Sequence, residues 1–449
     1  MNVCVIGGAG YVGLITGLGM AEIGHCVISV DVDQDRIRKL QGGESPIYEE
    51  GIEPLLRQNL DSGRLRFSTD LRESVEPSDV VFIAVGTPSR EDGQADLSQV
   101  IQVAEELARY MNGYKLIVIK STVPVSTVEL VLSVLGREKV EGRDFDIVAN
   151  PEFLREGKGL YDFFYPDRIV VGVLSQRARS TMRALYEPVI EGRVSSEEGP
   201  QNGSSGPVPV VETDLASAQI IKYASNAFLA TRISFINEVA SLCERVGADI
   251  KEVAMGLGYD PRIGNSYLEA GMGFGGPCLE KDLSALINIA EGTGYDPQLL
   301  RAILERNERQ IGGVVAKLKQ LVGHLLYKKT IAVLGLSFKA GTSDIRNSLS
   351  LKVIDHLEKD GATVRAHDPV AMSEVRILKP DLTYCQDPYE AVEKADALLI
   401  LTEWPSFKDL DYSLIKGLMA RPFIVDGRNL LDPGPMADLG FSYVGIGRP

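Results

Sequence analysis

The sequence predicts an α/β protein with two Rossmann-like doubly wound domains joined by a long central helix. In its first and last parts, short runs rich in Val and Ile alternate with helical segments, as parallel strands alternate with crossover helices. Between these parts, residues from about 213 to 246 contain neither Pro nor Gly. At 449 residues the chain is too long for a single core. We therefore expect three domains, at residues 1–212, 213–325 and 326–449.

Buried strands are predicted in both outer domains, because their apolar runs show little polar alternation. The first domain has strand candidates at residues 3–6, 27–30, 80–85, 116–119 and 145–148. The last domain repeats the pattern. There, "KKTIAVLGLSFK" predicts a strand and a glycine turn, "SLSLKVIDHLEKDG" a helix, and "ATVRAHDP", "DALLILTEW" and "PFIVDGR" further strands.

The central helix has recognisable ends, since Thr213 or Asp214 can cap its start and Gly247 can end it. Apolar residues lie on several of its faces, which predicts a buried spine and the core of a homodimer. Just before it, residues 191–208 ("EGRVSSEEGPQNGSSGPV") predict a flexible surface loop. A regulatory segment is the alternative there, but no motif in the sequence supports it.

Composition excludes several function classes. Lys plus Arg number 47 and Asp plus Glu 62, a net charge of −15, which argues against nucleic acid or an anionic membrane as partner. The five cysteines are scattered and form no CxxC pair, so we expect no disulfide framework and no metal site. The apolar N-terminus lacks a basic leader, and no apolar run reaches membrane-spanning length. We expect a cytoplasmic protein.

A dinucleotide-binding turn is predicted at "GAGYVG", residues 8–13. It follows a predicted strand and opens a predicted helix, so its backbone N–H groups can meet a pyrophosphate at a helix N-terminus. Asp31 ends the next strand, at the distance where a carboxylate accepts hydrogen bonds from a ribose 2′-OH. That carboxylate would repel a 2′-phosphate, so NAD is favoured over NADP. A glycine-rich turn without a ligand is the alternative.

Cys278 is the candidate nucleophile. It follows glycines 271, 273, 275 and 276 in "GMGFGGPCLEKD", which let the backbone lie against a ligand. Pro277 suits the first turn of a helix, which places the thiol at a helix N-terminus where the thiolate is favoured. Asp282 lies one turn further along the same face. The alternative is a small buried residue, as most free cysteines are.

Two further polar groups interrupt apolar stretches. Lys222 and Asn226 are four residues apart in "AQIIKYASNAFLA" and can bind a developing oxyanion together, although a lysine with its head in solvent is the alternative. Glu152 and Glu156, at helical spacing in "NPEFLREG", can handle protons or position ligand hydroxyls, or simply begin a helix.

Other candidate contacts are weaker. Thr122 in "KSTVP" offers a hydroxyl for a water or for the nicotinamide amide. Lys339 and Arg346 follow the second glycine turn, and could meet phosphate charge or form a solvated surface.

A dinucleotide domain combined with a thiol nucleophile narrows the chemistry. Hydride transfer alone requires no thiol. A thiol becomes useful when an aldehyde is oxidised further, because its hemithioacetal can lose a hydride and leave a thioester that water hydrolyses. The combination predicts oxidation to a carboxylate.

The chain closely resembles the UDP-glucose/GDP-mannose dehydrogenase family, and within it the branch that oxidises UDP-glucose. "GAGYVG", "KSTVPV", "NPEFLREG", "PDRIVVG", "KYASNAFLATRISFINE", "GFGGPCLEKD" and "LGLSFKAGTSDIRNS" stand in the family's order over nearly the whole length. The resemblance implies that a sugar nucleotide's C6 hydroxyl becomes a carboxylate, using two NAD and one water.

The resemblance also implies roles for individual residues. The catalytic group would be Cys278, Lys222, Asn226, Asp282, Glu152 and Thr122. NAD would contact Gly8, Gly10, Tyr11, Val12, Gly13, Asp31, Arg36, Thr87, Thr122, Glu156 and Arg346. The substrate would contact Glu152, Phe153, Leu154, Lys222, Asn226, Arg262, Tyr267, Phe274, Gly275, Phe338, Lys339 and Arg428. The backbone from 269 to 275 would also face the substrate.

Four features depart from the family pattern. The sequence has "VIGGAGYVG" where "VIGTGYVG" is usual, so its first strand is one residue further from the fingerprint. Glu280 replaces a common proline, and Pro277 a common serine. The 191–208 segment resembles an insertion. None of these changes removes a group that the chemistry requires.

Other readings of the sequence remain open. GDP-mannose or a UDP-N-acetylhexosamine could replace UDP-glucose as the substrate. A two-electron hydroxyacid dehydrogenase would need Lys222 and Asn226 but not Cys278. An NAD-sensing module without catalysis would need none of these polar groups.

Overall fold

The structure is a computed structural model that describes residues 1–88, 90, 93–194 and 206–448. Residues 195–205, most of the predicted 191–208 loop, lie outside the described residues. The chain divides into two compact units, Met1–Ala224 and Ser225–Pro449. The sequence predicts three domains, and the predicted central and last domains fall together in the second unit except for residues 213–224, which include the start of the long helix.

The first unit alternates strands and helices, as predicted. Its elements are β1 (Asn2–Ile6), α1 (Tyr11–Glu22), β2 (Cys26–Val30), α2 (Gln34–Gln41), α3 (Ile52–Asp61), β3 (Leu65–Ser68), α4 (Leu71–Val75), β4 (Val80–Ile83), α5 (Ser98–Tyr110), β5 (Lys115–Ile119), α6 (Ser126–Leu135), β6 (Phe145–Ala149), α7 (Gly159–Phe164), β7 (Ile169–Val173), α8 (Gln176–Leu185), α9 (Glu187–Ile190) and β8 (Val210–Thr213).

These strands form one sheet in the order β3-β2-β1-β4-β5-β6-β7-β8. All neighbours pair in parallel except β6 and β7, which are antiparallel. The first six positions follow the order of a Rossmann fold, in which ligands bind at the carboxyl ends of the strands. Apolar clusters pack against both faces of the sheet, which explains why its strands are almost entirely apolar.

The second unit combines helices with a second parallel sheet. Its elements are the greater part of α10 (Leu215–Val246), α11 (Ile250–Gly258), α12 (Leu279–Gly292), α13 (Gln298–Val322), β9 (Thr330–Leu334), α14 (Leu349–Lys359), β10 (Thr363–His367), α15 (Met372–Leu378), β11 (Thr383–Tyr384), α16 (Pro388–Val392), β12 (Ala397–Ile400), α17 (Pro405–Lys408), α18 (Tyr412–Leu418), β13 (Phe423–Asp426), α19 (Pro433–Asp438) and β14 (Ser442–Val444).

The second sheet has the order β11-β10-β9-β12-β13-β14, with all neighbours parallel. One buried cluster runs from α10 and α13 into β9, α14 and β10, with Ile236, Val314 and Val333 among its members. Because a single core joins the helices to this sheet, they form one compact unit. The prediction of two Rossmann-like folds and a long helix is confirmed.

Helix α10 has the predicted ends. The Asp214 carboxylate accepts a hydrogen bond from the Ser217 N–H at 2.8 Å, which satisfies a free donor of the first turn. Gly247, directly after the helix, has φ +75°, the left-handed conformation that ends many helices. Across the described ranges, no helix combines the length and apolarity needed to cross a membrane.

Candidate active site

The glycine turn after β1 fits a dinucleotide. Gly7, with φ +83°, makes the sharp bend, and helix α1 begins at Tyr11 with Gly10 as its N-cap. A Cβ on Gly13 would lie 2.1 Å from the Gly7 carbonyl oxygen, so only glycine lets α1 pack this closely on the turn. No side chain caps α1, which leaves its first amides for an anion. Gly7, the residue directly before the fingerprint at 8–13, is thus the residue of this turn with left-handed backbone conformation.

Asp31 lies at the end of β2 beside this turn. Its carboxylate accepts hydrogen bonds from the Ala9 N–H at 3.0 Å and the Asp33 N–H at 3.1 Å. These contacts fix the carboxylate at the strand end where a ribose hydroxyl would meet it. Arg36, exposed on α2, pairs with Asp33 at 3.4 Å. The turn and Asp31 together fit NAD.

Tyr11 and Val12, the middle residues of the fingerprint, use their side chains for packing. The Tyr11 hydroxyl donates to Glu49 at 2.6 Å and lies 2.9 Å from the Arg155 carbonyl oxygen. Burial, together with the Glu49 charge, raises the pKa of Tyr11. Val12 packs against the apolar cluster of the first unit. Helix α1 is thereby tied to the loop that follows β6.

Thr87 and Thr122 meet at the carboxyl ends of β4 and β5. The Thr87 hydroxyl donates to the Thr122 carbonyl oxygen at 2.8 Å. The structure therefore brings these two predicted cofactor contacts together at the edge of the sheet that also carries the glycine turn.

Glu152 and Lys222 form a buried ion pair. Their charged atoms are 2.9 Å apart, and the side chains are 7% and 5% exposed. The Leu154 N–H also donates to Glu152 at 2.6 Å. Burial opposes ionisation of Glu152, but the Lys222 charge and these hydrogen bonds outweigh it and hold its pKa below the usual range. Lys222 is therefore a buried cation, and the alternative of a lysine with its head in solvent is wrong.

The segment around Glu152 is a loop. Glu152 and Glu156 were predicted at helical spacing, but residues 151–158 have no helical structure, and α7 begins only at Gly159. The helical interpretation is wrong, and Gly157, with φ +77°, interrupts helical backbone directly after Glu156. Glu156 is half-buried. Phe153 lies beneath two cations, with the Arg168 guanidinium 3.8 Å and the Lys222 ammonium 5.4 Å from its ring centre.

Sequence reasoning missed Lys120, which follows β5 directly. Its ammonium is buried 3.1 Å from the Asn150 amide oxygen and 3.5 Å from the Tyr186 hydroxyl. Burial lowers the pKa of Lys120 to about 8, with Glu152 acting in the opposite direction and Lys222 in the same one. In the sequence, Lys120 looks like a polar residue at a strand end, and its burial could not be read from the pattern.

A small cavity lies beside these groups. It is lined by Ile119, Ser121, Thr122, Val123, Ala149, Pro151, Gln219, Lys222 and Tyr223. Gln219 is buried, and neither atom of its side-chain amide has a hydrogen-bond partner among the described residues. One turn before Lys222 on α10, this glutamine was also missed, because a helical Gln is usually solvated.

The glycines at 271–276 in the second unit are required by close packing against protein. A Cβ on Gly273 would lie 2.4 Å from the Asn307 amide oxygen, and one on Gly275 would lie 2.6 Å from the Asn347 carbonyl oxygen. Gly276 has φ +83° and faces the Phe338 ring, which a Cβ would approach to 2.6 Å. The sequence analysis expects these glycines to let the backbone lie against a ligand, and it does not predict their close contacts with protein atoms.

Cys278 is exposed and is the N-cap of α12. The helix begins at Leu279, so Pro277 precedes the cap and its predicted place in the first turn is wrong by two positions. The Asp282 N–H donates to the Cys278 carbonyl oxygen at 2.9 Å, which closes the first helical turn. The thiol therefore stands at a helix N-terminus, where the helix dipole favours a thiolate.

Asp282 is buried one turn beyond Cys278. Its carboxylate accepts hydrogen bonds from the Asn226 amide at 2.5 Å and the Lys281 ammonium at 2.6 Å. The structure thus pairs two of the predicted catalytic residues. Asn226 is fixed in orientation by this bond, because the carboxylate can only accept.

The predicted substrate contacts of the second unit fall into two groups. Phe274 is 3% exposed, and its ring packs with Ala227 and Leu283 in an apolar cluster, so its side chain belongs to the core. Arg428 joins the glycine segment to the next loop, since it lies 3.1 Å from the Phe338 carbonyl oxygen and 3.4 Å from that of Gly273.

The remaining predicted contacts are more exposed. The Lys339 ammonium lies 5.7 Å from the ring centre of Phe338. Arg262 pairs with Asp260 and is 87% exposed. Arg346 pairs similarly with Asp344, and Tyr267 has φ +62°. Within the described ranges, no group of three or more His, Cys, Asp or Glu side chains could hold a metal ion.

Comparison with known protein families matches three segments of the chain. Residues 1–190 match the NAD binding domain of the UDP-glucose/GDP-mannose dehydrogenase family, 216–309 its central domain and 332–433 its UDP binding domain. The matched segments contain the glycine turn, the Cys278 helix and the second sheet, respectively.

Curated relatives share the whole length. The chain is 45% identical to UDP-glucose 6-dehydrogenase of Pseudomonas aeruginosa, over 100% of this chain and 98% of the relative. It is 44% identical to UDP-glucose 6-dehydrogenase TuaD of Bacillus subtilis, over 98% and 92%.

Solved structures of UDP-sugar dehydrogenases are also similar to this chain over its whole length. A UDP-glucose dehydrogenase from Pyrobaculum islandicum is similar with a TM-score of 0.89 at 38% identity, covering 100% of this chain and 98% of that one. A UDP-D-ManNAc dehydrogenase from Pyrococcus horikoshii is similar with a TM-score of 0.86 at 29% identity, covering 100% and 99%. The chain is a member of the UDP-glucose/GDP-mannose dehydrogenase family.

Proposed function

We propose that this chain is an NAD-dependent UDP-glucose 6-dehydrogenase, which oxidises the C6 hydroxyl of UDP-glucose to a carboxylate. The observation that carries the proposal is the exposed Cys278 at the N-cap of α12, one turn from the buried Asp282–Asn226 pair. A two-electron dehydrogenase has no use for such a thiol. The full-length relatives named above support UDP-glucose as the substrate.

The proposed chemistry begins with oxidation of the C6 hydroxyl to an aldehyde, in which C6 loses a hydride and the hydroxyl loses its proton to a base. NAD, held by the glycine turn and Asp31, would supply the hydride acceptor for both oxidations. The Cys278 thiolate then adds to the aldehyde carbon, and the carbonyl oxygen becomes an oxyanion stabilised by Lys222 and Asn226. Loss of a hydride from this carbon leaves a thioester on the sulfur.

Hydrolysis completes the reaction. Water attacks the thioester carbon, the C–S bond breaks, the sulfur leaves as a thiolate and the sugar leaves as a carboxylate. Asp282 assists removal of the water proton, and Glu152 and Thr122 position the water. Glu152 is well suited to a positioning role, since its pKa lies below the usual range and it holds a proton poorly.

The substrate would lie between the glycine segment and the loop after β9. Arg428 and Lys339 supply the positive charge and Phe338 a ring face near the nucleotide end, while Arg262 and Tyr267 contact the ligand from the loop after α11. The roles of Phe338, Lys339 and Arg428 are supported by the match of residues 332–433 to a UDP binding domain.

The relatives also bear on the choice of sugar. Curated relatives at 44% and 45% identity carry the UDP-glucose name, whereas the UDP-D-ManNAc dehydrogenase is 29% identical. UDP-glucose is therefore preferred to a UDP-N-acetylhexosamine, and GDP-mannose is the remaining alternative.

Product counting tests the proposal. The protein is incubated with NAD and UDP-glucose, and NADH formed is divided by substrate consumed. Two NADH per UDP-glucose is expected. One would identify a two-electron alcohol dehydrogenase, and none, with NAD still bound, would identify a sensor. GDP-mannose and a UDP-N-acetylhexosamine serve as competing substrates.

We also propose that the active form is a cytoplasmic homodimer built on α10. Phe228, Phe235 and Leu242 recur every seven residues along this helix and are 62%, 55% and 57% exposed. Such an apolar stripe on a single chain is typical of an interface. A catalytic thiol also suits a reducing compartment.

A further inference from the structure

Lys120 belongs to a buried polar network that the proposed chemistry does not use. Its ammonium is 3.1 Å from the Asn150 amide oxygen and 3.5 Å from the Tyr186 hydroxyl. That hydroxyl donates to the same amide oxygen at 2.8 Å, and the Asn150 amide nitrogen donates to the Val170 carbonyl oxygen at 2.8 Å. All of these bonds are to neutral groups. The network fixes the position of the ammonium without neutralising it.

The charged groups that face Lys120 come from two other elements. Glu152, on the loop after β6, attracts the ammonium, and Lys222, on α10, repels it. Tyr186, between α8 and α9, is neutral because burial raises its pKa above the usual range. Two ammonium groups therefore face the Glu152 carboxylate, which pairs directly with Lys222. The direct 2.9 Å pair between Lys222 and Glu152 would be neutral by itself.

We propose that Lys120 is a positioning residue of the dehydrogenase reaction, whose buried charge shares the Glu152 carboxylate and so leaves Lys222 with positive charge for a substrate oxyanion. The inference rests on the proposed function. Lys120 acts through Glu152 and Lys222 and does not contact the substrate. A positive charge fixed before the reaction stabilises a developing anion without reorganisation, and such preorganised electrostatics is usually the largest single contribution to catalysis.

A pH dependence follows from this arrangement. The pKa of Lys120 is lowered to about 8, so the ammonium is charged below this pH and loses its proton as pH rises through it. Without the Lys120 charge, Glu152 neutralises Lys222 more completely. We therefore expect kcat to lose part of its value as pH rises through about 8, on top of any change due to other groups.

Lys120→Met tests the proposal, because Met keeps the length of the side chain and removes the charge. Lys115→Met is the matched control: Lys115 is buried at the opposite end of β5, where its ammonium donates to the Glu76 and Ser78 carbonyl oxygens. We expect Lys120→Met to lower kcat with UDP-glucose at pH 7 about tenfold or more, with KM nearly unchanged. Lys115→Met should keep kcat, even if both variants lower Tm.

Lys120→Arg separates charge from packing and also decides the case if Lys120→Met does not fold. A guanidinium stays charged in the accessible pH range, so this variant should keep most of kcat at pH 7 and lose the decline near pH 8. The proposal is overturned if folded Lys120→Met retains wild-type kcat, if Lys115→Met loses as much, or if Lys120→Arg keeps the decline. Failure of the proposed function would instead show as no NADH from the wild-type protein.

Discussion

At the scale of single residues, the buried pair of Glu152 and Lys222 controls both stability and chemistry. Lys222→Met should lower the free energy of unfolding by about 3 kcal/mol or more, because it leaves a buried carboxylate without its direct partner. Urea unfolding at pH 7 measures the loss. The Lys222→Met/Glu152→Gln double variant should recover part of it, and simple additivity of the two single losses would contradict a coupled pair.

The sign of the pKa shift predicts how the pair responds to acid. The pKa of Glu152 is lowered in the folded protein, so the pair contributes its stability above the ordinary Glu pKa of about 4.3. That contribution is lost as pH falls through the lower folded value. Comparing wild type with Glu152→Gln between pH 7 and about pH 3 should show a gap in Tm that narrows toward acid. A constant gap would contradict the assignment.

Gln219 should hold an ordered water. A buried amide with neither atom bonded is costly, and the cavity that it lines also offers Thr122 and Lys222 as partners. A crystal structure is expected to show density for a water within hydrogen-bond distance of the Gln219 amide. Gln219→Met should then lower Tm by displacing that water. An empty cavity together with a raised Tm would contradict the prediction.

Residues in sequence motifs could be identified without a structure, and residues defined by burial could not. Cys278 follows a glycine-rich segment, and Asp31 lies at the expected distance from the glycine fingerprint; the structure places them at the predicted helix start and strand end. Nothing in the sequence shows that Lys120, in "KSTVPV", and Gln219, in "AQIIKYASNAFLA", are buried. The importance of Lys120 comes from a partner distant in sequence, Asn150, and that of Gln219 from the cavity that it lines, and a single sequence reveals neither.

At the scale of elements, the glycine segment before α12 sets the position of Cys278. Gly276→Ala should destabilise the second unit and lower kcat, because Gly276 has φ +83° and its Cβ would lie 2.6 Å from the Phe338 ring. Gly292→Ala, at the other end of α12 with open space around it, is the control and should leave Tm unchanged or slightly raised. Thermal unfolding and steady-state kinetics measure both. Equal behaviour of the two variants would show that the glycine is not required.

The exposed stripe on α10 makes a separate prediction. Phe235→Asp places a charge in the middle of the apolar stripe, so it should convert the proposed dimer to a monomer. Sedimentation measures the mass, for which the sequence gives 48.8 kDa per chain. Tyr295→Asp, at an exposed residue outside α10, is the control. A wild-type monomer, or a dimer unaffected by Phe235→Asp, would contradict this interface.

Most central strands were predictable, whereas the edge strands and the internal strand β7 (Ile169–Val173) were not. The predicted strand at 3–6 appears as Asn2–Ile6 and that at 116–119 as Lys115–Ile119. The strands that sequence reasoning omitted include Thr383–Tyr384 and Ser442–Val444, which lie at the edges of the second sheet. Two or three residues carry too little hydrophobic pattern to distinguish a strand from a loop.

At the scale of the whole molecule, each of the two sheets has an aspartate directly after its second strand in chain order, but the two aspartates have different surroundings. Asp31 follows β2 of the first sheet and Asp368 follows β10 of the second. Asp368 is fully buried and accepts hydrogen bonds from the Leu336 and Ser337 N–H groups and from the Trp404 indole. A carboxylate enclosed in this way cannot bind a ribose hydroxyl. The second fold therefore repeats the architecture without repeating the NAD site.

This difference predicts one NAD site in each chain. Calorimetric titration should give one NAD per chain, and Asp31→Ala should weaken binding, since its carboxylate is the expected ribose partner. Asp368→Asn should lower Tm but leave NAD affinity unchanged, because its bonds are internal. Two equivalent NAD sites per chain would contradict the distinction between the sheets.

The most direct test of the central claim, that one thiol carries the sugar carbon from aldehyde to acid, is the Cys278→Ser variant. It is incubated with UDP-glucose and NAD, and UDP-glucuronate is quantified alongside NAD affinity. We expect no net acid and unchanged NAD binding, because a serine hydroxyl lacks the acidity to form the covalent intermediate. Acid production at the wild-type level would contradict the account.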